Sequence, residues 1–293
     1  MGIRLLGTLD LSGLTVKGLA AHELSGLAWD EDDQILYAVS DKGYLLHMKP
    51  SFQGEILMDI DLVDAYRLRN EKGKPPKHPD AEGMDIFNGN NGVKNDAELL
   101  ISFEIIPRII RYSPKGEMIK RYKLPKNLNK INDYDYKNAA LESVVIHPEL
   151  GILTAPQLGL RKGLKSMRSI HDLKGKTWYF NPFKKEDCST TDLELVPDGS
   201  LLILERKFSN ILVPFQTILR RVWLDPGDKN GAIKETETIA VLDSTKGWKI
   251  DNFEGLAYHK KNRFFMISDD NNNIFQRTLL IYFELVNQVN GKL

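Results

Sequence analysis

Glu23-Leu-Ser-Gly-Leu-Ala-Trp29 near the start of the chain returns as Asn252-Phe-Glu-Gly-Leu-Ala-Tyr258 near its end. Each copy places a hydroxyl or acidic residue before glycine, and then a short apolar run of strand length. Three related segments lie between them: Glu82-Gly-Met-Asp-Ile86, Glu142-Ser-Val-Val-Ile146 and Asp192-Leu-Glu-Leu-Val196. The openers Ser25, Glu82, Glu142, Asp192 and Glu254 are 57, 60, 50 and 62 residues apart, the period of a propeller blade with its loops. Each opening strand is followed by a second that ends in a polar residue: Asp41, Glu104, Gln157, Glu205 and Asp269.

Short alternating or apolar runs bounded by Gly, Pro, Asp and Asn fill the units, as antiparallel strands require. In the fourth, Pro197-Asp198-Gly199 presets a turn, proline fixing φ and glycine accepting positive φ. The third unit is the least regular, with its outer half confined to Thr177–Phe180 and a strand before Cys188. The fifth supplies only three strands, and Ile3–Leu11 is left over to complete it. Few segments keep a 3.6-residue apolar period, which argues against a βαβ fold. The expected architecture is all-β: one β-propeller domain over residues 1–293, closed by the N-terminal strand. Five four-stranded blades are expected; a sixth is allowed if one unit hides a degenerate blade.

Composition excludes several classes. With 42% apolar residues the chain can bury a large core, and 40 basic residues balance 40 acidic ones, so no net charge draws it to nucleic acid. No run approaches the roughly 20 apolar residues needed to span a bilayer. The single cysteine, Cys188, cannot build a disulfide framework. The start Met1-Gly-Ile-Arg-Leu-Leu does not read as a secretory signal. A monomer acting on a small molecule is expected.

In an up-and-down blade, the start of the first strand and the end of the second lie at the same end. The five openers should therefore ring one mouth of the central channel, backed by the five closers. Converging carboxylates repel unless a cation intervenes, and oxygen donors without histidine or thiol favour Ca²⁺. Ser25, Glu82, Glu142, Asp192 and Glu254 are the candidate ligands. Glu104, Glu205, Asp269 and Asp270 are candidates to position or deprotonate water, and His78 is the best-placed histidine for acid–base work. Arg108, Arg206 and Arg277 follow closing residues and suit either a phosphate or pairing with the acids. A ring of this kind can equally be structural, its acids capping amides or pairing with arginine. Two basic connectors should overhang the mouth: Arg67, Arg69, Lys72, Lys74 and Lys77 in one, and Arg161, Lys162, Lys165, Arg168, Lys174 and Lys176 in the other. They suit a phosphorylated substrate. No nucleophile elbow, zincin motif, phosphate-binding loop or dinucleotide fingerprint is present.

The segments Glu23–Trp29, Asp80-Ala-Glu-Gly-Met84, Leu202-Ile-Leu-Glu-Arg206, Asn252-Phe-Glu-Gly-Leu256 and Ser268-Asp-Asp-Asn271 resemble, in order, the family named for the esterase-like activity of phytase. That resemblance spans about residues 20 to 285. It implies a β-propeller, hydrolysis of phosphate or carboxylic esters, and a periplasmic or secreted location. The layout is also similar to the calcium-dependent apyrases, in which opener residues hold a central Ca²⁺. Ser25, Glu82, Glu142 and Glu254 match that pattern, whereas Asp192 stands where those proteins carry a hydroxyl. A non-catalytic propeller binding a small anion or a protein around a structural ion, and a calcium-dependent lactonase, are the alternatives.

Overall fold

A computed structural model describes residues 1–136, 139–164, 166–185, 188–207, 216–228, 231, 233–246, 248, 250–273 and 275–287. Five four-stranded antiparallel sheets form the blades of a propeller. From channel to rim, blade 1 comprises Leu24–Asp30, Ile35–Ser40, Tyr44–Gln53 and Ile56–Arg67. Blade 2 comprises Ala81–Phe87, Glu98–Phe103, Arg108–Tyr112 and Met118–Tyr122. Blade 3 is built from Leu141–His147, Gly151–Pro156, Arg168–Asp172 and Thr177–Phe180, and blade 4 from Cys188–Leu195, Leu201–Lys207, Gln216–Leu224 and Ile233–Asp243. Blade 5 runs Asn252–Lys260, Arg263–Asp269, Leu279–Val286, with Gly2–Asp10 as its outer strand.

That last strand closes the ring as expected, pairing from Gly2↔Val286 to Asp10↔Leu279. Each innermost strand packs against the innermost strand of the next blade, and the fifth meets the first. Because both faces of a blade are covered by neighbours, the inner strands are buried along most of their length rather than alternating with solvent. Leu24–Asp30 is buried at every position, whereas the rim strand Ile56–Arg67 alternates with solvent. Five apolar clusters fill the five seams between blades. Trp178 is fully buried in the seam between blades 3 and 4.

Blade 3 departs from the sequence expectation. Its third strand is Arg168–Asp172, inside what reads as a basic connector, and Cys188 opens the inner strand of blade 4. The run Arg-Ser-Ile-His-Asp is buried at all five positions because its polar groups find partners. Arg168 Nε donates to the Cys188 carbonyl at 2.7 Å, and His171 sits between the hydroxyls of Ser169 and Thr177 at 2.8 and 2.9 Å. Burial lowers the His171 pKa to about 4, so the ring is neutral.

Candidate functional site

One irregularity recurs at the same height in all five innermost strands: a β-bulge. The pairing skips one residue between Leu24 and Gly26, Leu141 and Ser143, Thr190 and Asp192, and Phe253 and Gly255, and likewise within Ala81–Met84. The extra residues are Ser25, Glu142, Thr191 and Glu254, and in blade 2 the pair Glu82-Gly83 carries the extra one. A bulge frees a residue from the ladder and re-aims it, which suits a site at a channel mouth.

The glycine that follows Ser25, Glu82 and Glu254 has a steric reason. A Cβ on Gly26 would lie 2.4 Å from the Glu82 carbonyl oxygen, and one on Gly83 would lie 2.5 Å from Ser143 Cα. Neighbouring inner strands approach so closely there that a side chain is excluded in the repeat's Ser-Gly and Glu-Gly pairs.

Blade 4 carries Asp192 at the position of these glycines, so its true opener is Thr191. Asp192 is fully buried; its carboxylate accepts the amides of Leu193 at 2.8 Å and of Leu256 in blade 5 at 2.7 Å. It therefore caps backbone instead of joining the mouth. The same one-residue offset applies at the closer. Thr190 pairs with Glu205, as Leu24 pairs with Ser40 and Ala81 with Phe103, so the counterpart of Asp41 and Glu104 is Arg206. Glu205 points away: it is fully buried against Arg220 Nη1 at 3.1 Å and accepts the Phe183 amide at 3.1 Å. A one-residue shift sends a side chain to the other face of a sheet.

The mouth thus gathers Ser25, Glu82, Glu142, Thr191 and Glu254, backed by Asp41, Glu104, Gln157, Arg206 and Asp269. Asp80, one residue before the inner strand of blade 2, joins them: oxygens of Asp80, Glu82 and Glu104 all lie within 4.8 Å of one another. Burial and the carboxylates of Glu142, Glu104, Glu254 and Asp80 push Glu82 well above the usual carboxylate range. Glu142 is raised likewise, by burial first and then by Glu104 and Glu254. Burial and neighbouring acids carry Asp41 up to about 7, Glu104 to about 8 and Asp269 to about 9. Arg206 is the guanidinium placed among them. Its Nη1 donates to Glu254 at 2.5 Å and also to the Asn252 side chain. Gln157 donates to Glu142. Three buried oxygens of the set have no partner: Ser25 Oγ, Asp41 Oδ1 and Glu142 Oε2.

The remaining candidates are placed less centrally. Asp270 is tied into the junction of blades 5 and 1, its Oδ1 accepting the Glu23 amide at 3.1 Å and facing His22 Nδ1 at 3.0 Å. Burial alone would raise its pKa, but these hydrogen bonds hold it below the ordinary value. Arg108 stacks on Phe103 and spends its donors on the carbonyls of Ile106, His78 and Pro79. It buckles the loop on which His78 is exposed. Arg277 is exposed, and its backbone amide is held by Asp251 at 2.9 Å.

Of the basic connectors, the segment up to Lys77 does rise at this mouth, as do Arg161 and Lys162. Lys174 and Lys176 lie at the opposite end, in the turn between Arg168–Asp172 and Thr177–Phe180. Lys165 falls outside the described residues. Sequence reasoning missed Thr191 and Asp80 as candidates; the hydroxyl immediately before Asp192, in the register where Ser25 stands before Gly26, was the available signal.

Residues 20–272 match the model of the phytase-like family, described as esterase-like activity of phytase. The chain belongs to this family. Among curated proteins no relative matches it. Solved structures similar to it include a gluconolactonase from Xanthomonas campestris, 10% identical over 94% of this chain and 89% of that one, with a TM-score of 0.42. The Dos1 propeller aligns at 10% identity over 93% and 71% of the two chains, with a TM-score of 0.37. No helix among the described residues is long and apolar enough to cross a membrane.

Proposed function

We propose that this phytase-like propeller binds Ca²⁺ at the acidic mouth and hydrolyses phosphate esters there. The observation that carries the reading is the surplus of converging carboxylates over the Arg206 guanidinium and the Lys42 ammonium beside Asp41, with the buried oxygens of Ser25, Asp41 and Glu142 left unpartnered. A buried anionic cluster without compensation costs several kcal/mol per ion, and hard oxygen donors without histidine or thiol fit a hard divalent cation. Ser25, Glu82, Glu142 and Glu254 would hold it, with Thr191 taking the place that Asp192 holds in the sequence pattern. When bound, such an ion supplies Lewis-acid polarisation of an ester oxygen.

The protein's own groups supply the rest. Glu104 and Asp269 back the ring, and a bound cation would favour their ionised forms, the state in which a carboxylate takes a proton from water. Arg206 orients Glu254 and offers charge to an anionic group entering the mouth. Exposed His78 is the candidate acid for a leaving group, and Lys77 and Lys162 draw an anion toward the opening. Ester hydrolysis is supported by the family, and the phosphate preference by the basic loops.

The pairing of Arg206 with Glu254 favours a second reading, a non-catalytic propeller whose ring is closed by its own ion pair. Turnover of a panel of phosphate and carboxylate esters separates the two, measured with chelator and then with Ca²⁺ or Mg²⁺ restored. Calcium-dependent release of phosphate that drops at least about 100-fold in Glu142→Gln, with the fold intact by circular dichroism, is expected. Full activity in that variant, or none under any metal, would sink the catalytic assignment.

A further inference from the structure

The opposite mouth of the channel opens into a basin of about 440 Å³, within the range of small-molecule sites. One wall is fixed by two turns stitched together. The Asp32 carboxylate accepts the amides of Asn91 and Gly92 at 2.8 and 3.1 Å, and Asp33 accepts that of Asn95 at 2.8 Å. In return the Glu31 amide donates to the Gly89 carbonyl at 2.7 Å. The turns of blades 1 and 2 therefore form a single preorganised rim, which lowers the cost of ordering these loops when a ligand binds.

The chemistry of the lining restricts what fits. No lysine or arginine among the described residues lines it, and burial lowers the His259 pKa to about 3, so this wall offers no cation to an anionic ligand. Its acids are Glu31, Asp85 and Glu194. Asp85 already accepts the amides of Ile86 and Ile146 at 2.7 and 2.6 Å, and Glu194 accepts that of Leu195 at 2.8 Å. Burial raises both carboxyls, Asp85 to about 7, so each holds a proton more tightly than an ordinary carboxyl and in that form donates as well as accepts. Glu31 is engaged by the Trp29 indole at 2.8 Å. Around these polar groups lie Ile146, Leu195 and Tyr258, and the side chain of Asn90 is exposed at the rim.

We propose that this lower basin binds a neutral polyhydroxylated molecule of monosaccharide size. Hydroxyl groups both donate and accept, and so match a wall that mixes carboxyls, an amide and a phenol. The carbon faces of a sugar ring match the aliphatic and aromatic surfaces between them. The site lies at the far end of the channel from the acidic ring and does not depend on the activity proposed there.

Three sugars that share a ring but differ in charge test it: D-glucose, D-glucosamine and D-glucuronate, titrated by calorimetry against the intact protein. Glucose should bind saturably, and the two charged analogues at least about tenfold more weakly. Asn90→Trp, which sets an indole across the opening from an exposed position, should abolish binding, and Asn90→Ala should weaken it. Glu142→Gln at the other mouth should leave it unchanged. Absence of saturable glucose binding, or binding indifferent to Asn90→Trp, would overturn the proposal. Preference for glucosamine would also overturn it, by making the basin a cation site.

Discussion

Blades 2 and 4 have the same four strands and the same bulge, yet they bring opposite chemistry to the mouth. Blade 2 supplies Asp80, Glu82 and Glu104, three carboxylates within 4.8 Å of one another. Blade 4 supplies Thr191 and Arg206, a hydroxyl and a guanidinium. The fold repeats backbone geometry, and the side chains at two positions per blade decide whether the site repels itself. The acids of blades 2, 3 and 5 are tolerable in one ring partly because blade 4 departs from the repeat.

Removing that departure gives the largest expected effect. Arg206→Met should cost about 3 kcal/mol in chelator-treated protein, because it strands Glu254 and Glu142 in a poorly solvated ring. Calcium should recover more stability in this variant than in the parent, since a divalent ion replaces the lost charge. Chemical denaturation with and without Ca²⁺ measures both quantities. Unchanged apo stability would mean that the ring is neutral by protonation alone and owes nothing to Arg206.

A smaller effect should come from pH. Asp41, Glu104 and Asp269 bind protons more tightly folded than unfolded, with folded values of about 7, 8 and 9. The folded state therefore holds more protons across the interval between the ordinary carboxylate range and those values. The sign follows: what these three groups contribute to the stability of the metal-free protein is fully present below the ordinary carboxylate range and is lost as pH rises through about 7 to 9. A bound cation favours the ionised carboxylates and should flatten the curve. Melting midpoints from pH 5 to 9, with chelator and with Ca²⁺, test this; a metal-free curve that rises with pH would contradict the placement of these acids.

Most of the fold was legible because its signals are local. Turn residues, apolar runs and the glycine forced by strand approach at Gly26 and Gly83 all stand in the chain itself. The N-terminal closure was legible because one blade lacked a strand and one strand lacked a blade. Arg168–Asp172 was not legible, since a strand with arginine, histidine and aspartate becomes buriable only through partners such as the Cys188 carbonyl, distant in sequence. The site was half legible for a related reason. Ser25, Glu82, Glu142 and Glu254 precede a glycine or serine that marks the bulge, whereas in blade 4 the marked position carries Asp192, and an aspartate looks like a ligand.

The smallest effect separates Thr191 from Asp192 directly. Asp192 lies one residue beyond the bulge with both carboxylate oxygens on backbone amides, so Asp192→Asn should leave calcium affinity within about twofold while costing some stability, because its amide nitrogen would meet an amide donor. The Thr191 hydroxyl lies 3.4 Å from the Leu204 carbonyl and 3.3 Å from that of Phe253, distances that suit weak donation and leave its lone pairs free. Thr191→Val keeps the shape and removes those lone pairs, and should weaken calcium by about threefold, the order of one modest oxygen contact. Calorimetric titration of the two variants side by side compares them under one condition. If Asp192→Asn proves the more damaging to affinity, the ring is built on the acid that the repeat suggests, and the bulge does not set the ligand register.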